Sequence, residues 1–258
     1  MSQKRRYGWT PDLPDARDKK YEKSAKSVSL PALIDMRLLD SPIQDQGQEG
    51  SCTANAWTGH MQFLENKDKI PQRYGASVVY LSRQFLYYNE RVIEETVNQD
   101  SGAQLRDGAQ SLSTQGICRE VLWSYSPSHL FATPPLNCYQ DALNRLITNY
   151  LSISTLDGMK NCLASGYPFV FGFTVYDSFE SDQVAATGVV PMPGPNESVL
   201  GGHAVMALGY DDSSQRFICR NSWGKNWGMA GYFTIPYEYL TNPDLASDMW
   251  TIRNGKLI

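Results

Sequence analysis

The 258-residue sequence has no hydrophobic run long enough to cross a membrane. Its longest apolar stretch, about Tyr167 to Tyr176, contains Pro168 and Gly172 and reaches about half of the ~20 residues a spanning helix needs. Basic charge is not in excess either: 23 Lys and Arg against 27 Asp and Glu leave a net charge of −4. That argues against the basic face that nucleic-acid binders carry, and Lys4-Arg5-Arg6 reads as a solvated terminus. The early basic residues are not followed by an apolar segment, so no Sec-type signal peptide is read, and the expected location is the cytoplasm or the exterior by another route. Cysteine is sparse and unpaired in pattern. The five, at 52, 118, 138, 162 and 219, include no CxxC and no zinc-like spacing, which suits free thiols in a reducing compartment and calls for no metal or cofactor. Cys118, Cys138, Cys162 and Cys219 read as small buried apolar residues. Repeats and low-complexity tracts are missing too.

What is present suits a packed globule. Hydrophobic residues make up 41% and charged residues 19%, and the length allows one large domain or two lobes sharing a cleft. Residues 1 to 29 are polar, with Pro11 and Pro14, and read as an extended arm: a short pro-segment or a strap. Tyr7, Trp9 and Leu13 are its apolar anchors, and they need burial either in a cleft or on the outside of a lobe. From Ser51, a plausible N-cap, Ala54, Ala56, Trp57, Met61, Phe63 and Leu64 recur at helical spacing, so a buried helix should begin at Cys52. Helices are also expected over about 80–92 and 106–115, the second stopped by Gly116. After about residue 149 the texture turns strand-like, at 169–175, 204–208, 216–220 and 231–235, with a hairpin turn at Asp211-Asp212-Ser213-Ser214. The expectation is an α+β fold, with a helical lobe over about 41–148 and a sheet lobe over about 149–258.

Cys52 differs from the other thiols in standing at a helix N-terminus, where the dipole and unsatisfied N–H groups favour the nucleophilic thiolate. A helix-start cysteine also serves simple packing. A thiolate acting in acyl transfer wants an imidazole beside it, and there are only three histidines. His60 lies eight residues along the same helix, roughly 12 Å away. His129 sits in a turn-like Ser126-Pro127-Ser128-His129 segment. His203 opens a strand after Gly201-Gly202 and is left by elimination, although a histidine there also serves packing. Asn221 ends the strand that returns beside it and can orient an imidazole; a capping asparagine is the alternative.

The segments around these residues resemble the papain family of cysteine peptidases over most of residues 30–258. Gln46-Gly47-Gln48-Glu49-Gly50-Ser51-Cys52 resembles the family's nucleophile segment. Leu30-Pro31 to Asp35-Met36-Arg37 resembles the start of its mature domain, and Gly202-His203-Ala204-Val205 and Asn221-Ser222-Trp223-Gly224 resemble its histidine and asparagine motifs. His203 and Asn221 follow Cys52 by 151 and 169 residues, slightly more than the usual spacing. The resemblance implies a two-lobed fold with a helical lobe and an antiparallel, barrel-like sheet lobe, and the site in the cleft between them. It implies a Cys52-His203-Asn221 triad acting on peptide or protein substrates, with Gln46 and the Cys52 backbone N–H as oxyanion donors. Trp223 would shield the His203–Asn221 bond and Trp227 would wall the leaving-group side. Gly50, Gly102, Gly172, Gly202 and Ala204 are expected to border substrate, Gly102 by hydrogen-bonding its backbone. Gly172 with Ala204 would leave room for a large side chain, Leu, Phe or Tyr, two residues before the scissile bond.

Two departures stand out. Glu49 replaces a disulfide cysteine of secreted members and reads as a solvated loop charge, and Thr53 replaces a tryptophan; both suit a resemblance to disulfide-poor bacterial and archaeal members. The same Cys-His pair would also serve an amidase, transglutaminase or acyltransferase, and a catalytically silent peptide-binding module is a further reading.

Overall fold

The computed structural model describes residues 5–22, 30–69 and 79–253. Its organising element is helix α1, Cys52–Lys69, in which every residue from Cys52 to Glu65 is buried. A helix covered on all sides is a core element. Trp57 lies at its centre, its indole N–H donating to Leu105 O at 2.8 Å. Helix α2, Arg83–Ile93, is capped by Ser82, whose hydroxyl accepts the Phe85 N–H. Helix α3, Leu105–Thr114, comes close to α1 through Gly108, where a Cβ would lie 2.4 Å from the Trp57 ring. It is followed by Gly116 at φ +76°. Helix α4 is Leu136–Ala142.

Seven strands form one antiparallel sheet: β1 (Leu33–Asp35), β2 (Asn149–Ile153), β3 (Phe169–Tyr176), β4 (Val199–Asp211), β5 (Arg216–Arg220), β6 (Tyr232–Pro236) and β7 (Ala246–Arg253). Their order is β2-β7-β3-β4-β5-β6, with β1 added to β4. Among the described residues no ladder joins β2 to β6, so the sheet expected to be barrel-like is not closed. Three short helices complete it, α5 (Leu156–Ala164), α6 (Asp182–Thr187) and α7 (Tyr237–Thr241). The α+β division holds: α1 to α4 precede residue 148, and every strand but β1 follows it. Helix α1 packs on β4, which brings the lobes together along the edge where Cys52 lies.

Residues 5–22 carry no helix and run in contact with both lobes. Trp9 forms a parallel bridge with Ala103 of the helical lobe, while its N–H donates to Gly202 O of the sheet lobe at 2.9 Å. Farther along, Tyr21 N donates to Ser152 O at 2.8 Å and Arg106 pairs with Asp18 at 2.7 Å. Leu13 is no anchor: it is 72% exposed. Asp12 takes that role, accepting from Trp250 Nε1 at 2.8 Å and from Arg106 N at 3.1 Å. Nor is the basic terminus simply solvated, since Arg5 pairs with Asp45 and Arg6 with Asp100. Lys4 and residues 23–29 of the arm lie outside the described residues.

Candidate active site

The site is assembled by a seam between two loops. Asp45 bridges Trp223, Gln46 N donates to Ser222 O at 2.8 Å, and Gly224 N donates to Gln44 O at 3.1 Å. The loop that leads to Cys52 is thereby stitched to the loop that follows β5. His203 lies in β4 opposite Phe173, and Asn221 comes immediately after β5, its N–H donating to Gly231 O. His203 Nε2 and Asn221 Oδ1 are 2.9 Å apart. The Ser222 N–H also donates to that Oδ1, at 2.8 Å, so the atom is an acceptor and the imidazole must carry its proton on Nε2. Nδ1 of the neutral ring is then a free base, and it has no protein hydrogen-bond partner. The Trp223 ring stacks on the imidazole at 5.0 Å and 29°, and Phe173 and Phe179 close the other sides. Trp227 packs edge-on against Trp223 at 5.2 Å.

The Gln46 carboxamide is oriented as tightly. Its Oε1 accepts the Ser222 hydroxyl at 2.5 Å, and its Nε2 donates to Glu49 O at 2.9 Å. The second Nε2 proton points to the Arg6 carbonyl of the arm at 3.4 Å. Ser222 therefore serves both Gln46 and Asn221. It stood inside the Asn-Ser-Trp motif without being singled out, because a serine there carries no pattern of its own.

The cleft walls meet the arm through glycines. A Cβ on Gly102, which has φ +79°, would fall 2.1 Å from Gly8 O, and one on Gly202 would fall 2.4 Å from Trp9 O. One on Gly172 would fall 1.9 Å from the Trp9 ring, and Gly8 itself lies against Gly50 O. Ala204 pairs with Gly172 in register and so faces the same side of the sheet. Toward the arm, the backbone hydrogen bonds of this wall come from the residue after Gly102. Ala103 N donates to Gly8 O at 2.7 Å and Ala103 O accepts from Thr10 N at 3.1 Å, whereas the Gly102 N–H is taken by Tyr87 Oη at 3.0 Å. Tyr87 in turn donates to Asp100, whose carboxylate accepts the Gly50 N–H. That buried network fixes the helical-lobe wall.

The family model for papain family cysteine proteases matches residues 30–251. This chain belongs to the papain family. It is 37% identical to an uncharacterized peptidase C1-like protein of Acanthamoeba polyphaga mimivirus, over 96% of this chain and 87% of that one. Among solved structures it is similar to xylellain, a cysteine protease from Xylella fastidiosa, at 41% identity and a TM-score of 0.89, covering 99% of this chain and 100% of that one. Procathepsin L 3 of the Tenebrio molitor larval midgut shares the fold at 19% identity and a TM-score of 0.70, covering 96% of this chain and 75% of that one.

In this papain-family peptidase burial acts on both members of the pair. Burial pushes the Cys52 thiol up to about 12, against the opposing pull of the Ala204, Gly8 and Thr53 backbone N–H groups. Burial also lowers His203 to about 4, with Asn221 opposing. Desolvation thus favours the neutral form of each group. His60 is buried and bonded to Pro168 O at 2.9 Å. His129 stacks on Trp123 at 4.0 Å, away from the thiol. The other four cysteines are buried, as expected. Glu49 is a correction: it is 6% exposed rather than solvated, and burial raises its pKa against the opposing pull of Gln84 and Tyr125. Thr53 donates to the buried Glu90 at 2.8 Å.

Proposed function

We propose that this peptidase is an endopeptidase working through Cys52, His203 and Asn221, and that residues 5–10 hold it latent. The observation that carries the reading is the His203–Asn221 pair, whose fixed tautomer leaves Nδ1 as the base for the thiol proton. His203 takes that proton, and the Cys52 thiolate attacks the scissile carbonyl. The carbonyl oxygen becomes an oxyanion, held by Gln46 Nε2 and the Cys52 backbone N–H, donors typically worth ~3 kcal/mol each. Collapse expels the amine, which receives the proton from His203 and leaves a thioester. Water, deprotonated by the same imidazole, releases the acid. Gly50, Gly102, Gly172, Gly202 and Ala204, with Trp223 and Trp227, border the substrate in this reading.

Endopeptidase action is supported by the arm, a polypeptide that enters and leaves the cleft at both ends. Latency is supported by what the arm presents. The peptide carbonyl at Gln46 belongs to Arg6, while the thiol is met by the Gly8 N–H. The oxyanion donor and the thiol thus engage different peptide units of the arm. Labelling with a peptidyl epoxide or vinyl sulfone, followed by mapping of the modified cysteine, tests the reading: Cys52 is expected, and modification of Cys118 or no labelling at all would overturn it. Adding hydroxylamine and amino-acid amides during turnover measures the partition of the thioester, and predominant transfer to amines would favour the transferase alternative.

A further inference from the structure

The arm shows what the cleft walls offer to side chains. Every side chain it lays on them except the Gly8 position donates to a carboxylate: Arg5 to Asp45, Arg6 to Asp100, Tyr7 to Glu180 and Trp9 to Asp248. The last is the most enclosed. Trp9 is 8% exposed, its ring lying against Gly172 and Gly202, and its Nε1 donates to Asp248 Oδ2 at 3.1 Å. Asp248 is aimed there by the backbone. The β3–β7 ladder slips between Val170, paired with Trp250, and Gly172, paired with Ser247, and Asp248 sits in that irregularity at φ +58°. A bulge redirects a side chain in this way.

The same oxygen accepts the Asp12 backbone N–H at 2.8 Å. Both of these donors belong to the arm, so when the arm leaves Asp248 loses both and keeps the Ser247 hydroxyl. A largely buried carboxylate left short of donors is costly, and an incoming N–H group relieves that cost. We infer that Asp248 makes the Trp9 pocket a subsite for side chains with an apolar stem and an N–H tip, arginine foremost, so that peptides carrying such a residue two positions before the scissile bond are preferred over those carrying leucine or phenylalanine. The pocket has the size expected from Gly172 and Ala204, but its floor is polar. Arginine matches it because the guanidinium fork pairs with a carboxylate through two parallel N–H bonds.

The substrate half of this inference rests on the peptidase reading; the pocket itself does not, and two experiments on the full chain separate them. In the first, Trp9→Arg and Trp9→Leu are made with Asp248 intact and with Asp248→Asn, and the rate of Cys52 alkylation by iodoacetamide is measured by peptide mapping. With Asp248 intact the Trp9→Leu protein should be alkylated at least tenfold faster than Trp9→Arg, and Asp248→Asn should bring the two within about twofold. Equal rates with Asp248 intact overturn the inference. In the second, the Trp9→Ala protein is given peptides that differ only at the position in question. Arginine should exceed leucine and phenylalanine in kcat/KM by at least tenfold, with the advantage lost in Asp248→Asn and kept in Asp248→Glu. Preference for leucine or phenylalanine overturns the inference. Success of the first experiment with no peptide hydrolysed in the second would refute the peptidase reading while leaving the pocket assignment standing.

Discussion

The two stretches of the arm differ in kind. Residues 5–10 lie on catalytic and cleft residues: Tyr7 is 6.1 Å from the His203 ring, Gly8 is against Gly50 and Gly102, and Trp9 is over Gly172. Residues 12–21 lie on structural ones, through Asp12 with Trp250, Asp18 with Arg106, and Tyr21 with Ser152. Both stretches set N–H or O–H side chains against carboxylates, but only the first also threads its backbone between glycines, at Gly50, Gly102 and Gly172. In the latent reading proposed above, the first stretch is a plug and the second a strap that raises its local concentration.

The sharpest test of that division asks what the plug covers. Cys52→Ala should abolish hydrolysis of unstructured peptides, whereas Asn221→Ala should lower kcat more mildly because some imidazole still points correctly. Gln46→Ala should cost roughly 10²–10³ in kcat, the usual loss for one oxyanion donor, with little change in Tm. Gly8→Ala should break the plug alone. Its Cβ would lie 1.7 Å from Gly50 O, so Cys52 labelling should rise at least severalfold while Tm stays near the parent value. Deleting residues 1–20 removes plug and strap together; it should raise labelling at least as much and also lower Tm, and unchanged labelling with a clear loss of stability would leave only a strap.

The strap should respond to pH. Asp12 is raised from 3.8 to about 7, first by burial and then by the Asp248 charge, and Asp248 is raised as well. A carboxyl with a higher pKa when docked takes up a proton on docking. Its contribution is therefore complete below about 3.8 and is lost as pH climbs toward 7. Iodoacetamide labelling of Cys52 should rise across that window more steeply than thiol ionisation explains, and Asp12→Asn should flatten the excess. The smallest effect is expected from Arg106→Ala, which removes the Asp18 pair: Tm should drop by a few degrees, with only a modest rise in labelling.

Much of the fold was legible because its patterns are local. The apolar spacing from Ala54 to Leu64 announced α1, and alternation announced β5 and β6. Strand β7 was not read, since Ser247 and Asp248 interrupt its alternation where the ladder slips. The short β2 and α5 were missed too, because five and nine residues carry little periodic signal. Within the site, Cys52, His203, Asn221 and Gln46 stood in recognisable motifs. The parts played by Ser222, Ala103, Tyr87 and Asp248 were not legible, even for Ser222 inside its motif, because each acts through a backbone or side-chain contact with a residue distant in the chain.

The amino-acid sequence alone determined which chemistry is available: one thiol at a helix start, one imidazole on a strand and one carboxamide after the next strand, in segments that resemble a single family. Those are properties of residue type, order and short-range periodicity, and they survive without coordinates. Only the tertiary structure decided the state of that chemistry. Burial favours the neutral forms of Cys52 and His203, and the arm can lie over the cleft because glycines from three separate segments, at 50, 102 and 172, leave its path open. Desolvation and steric clearance depend on everything that surrounds a group in space, and that is set by contacts between residues far apart in the chain.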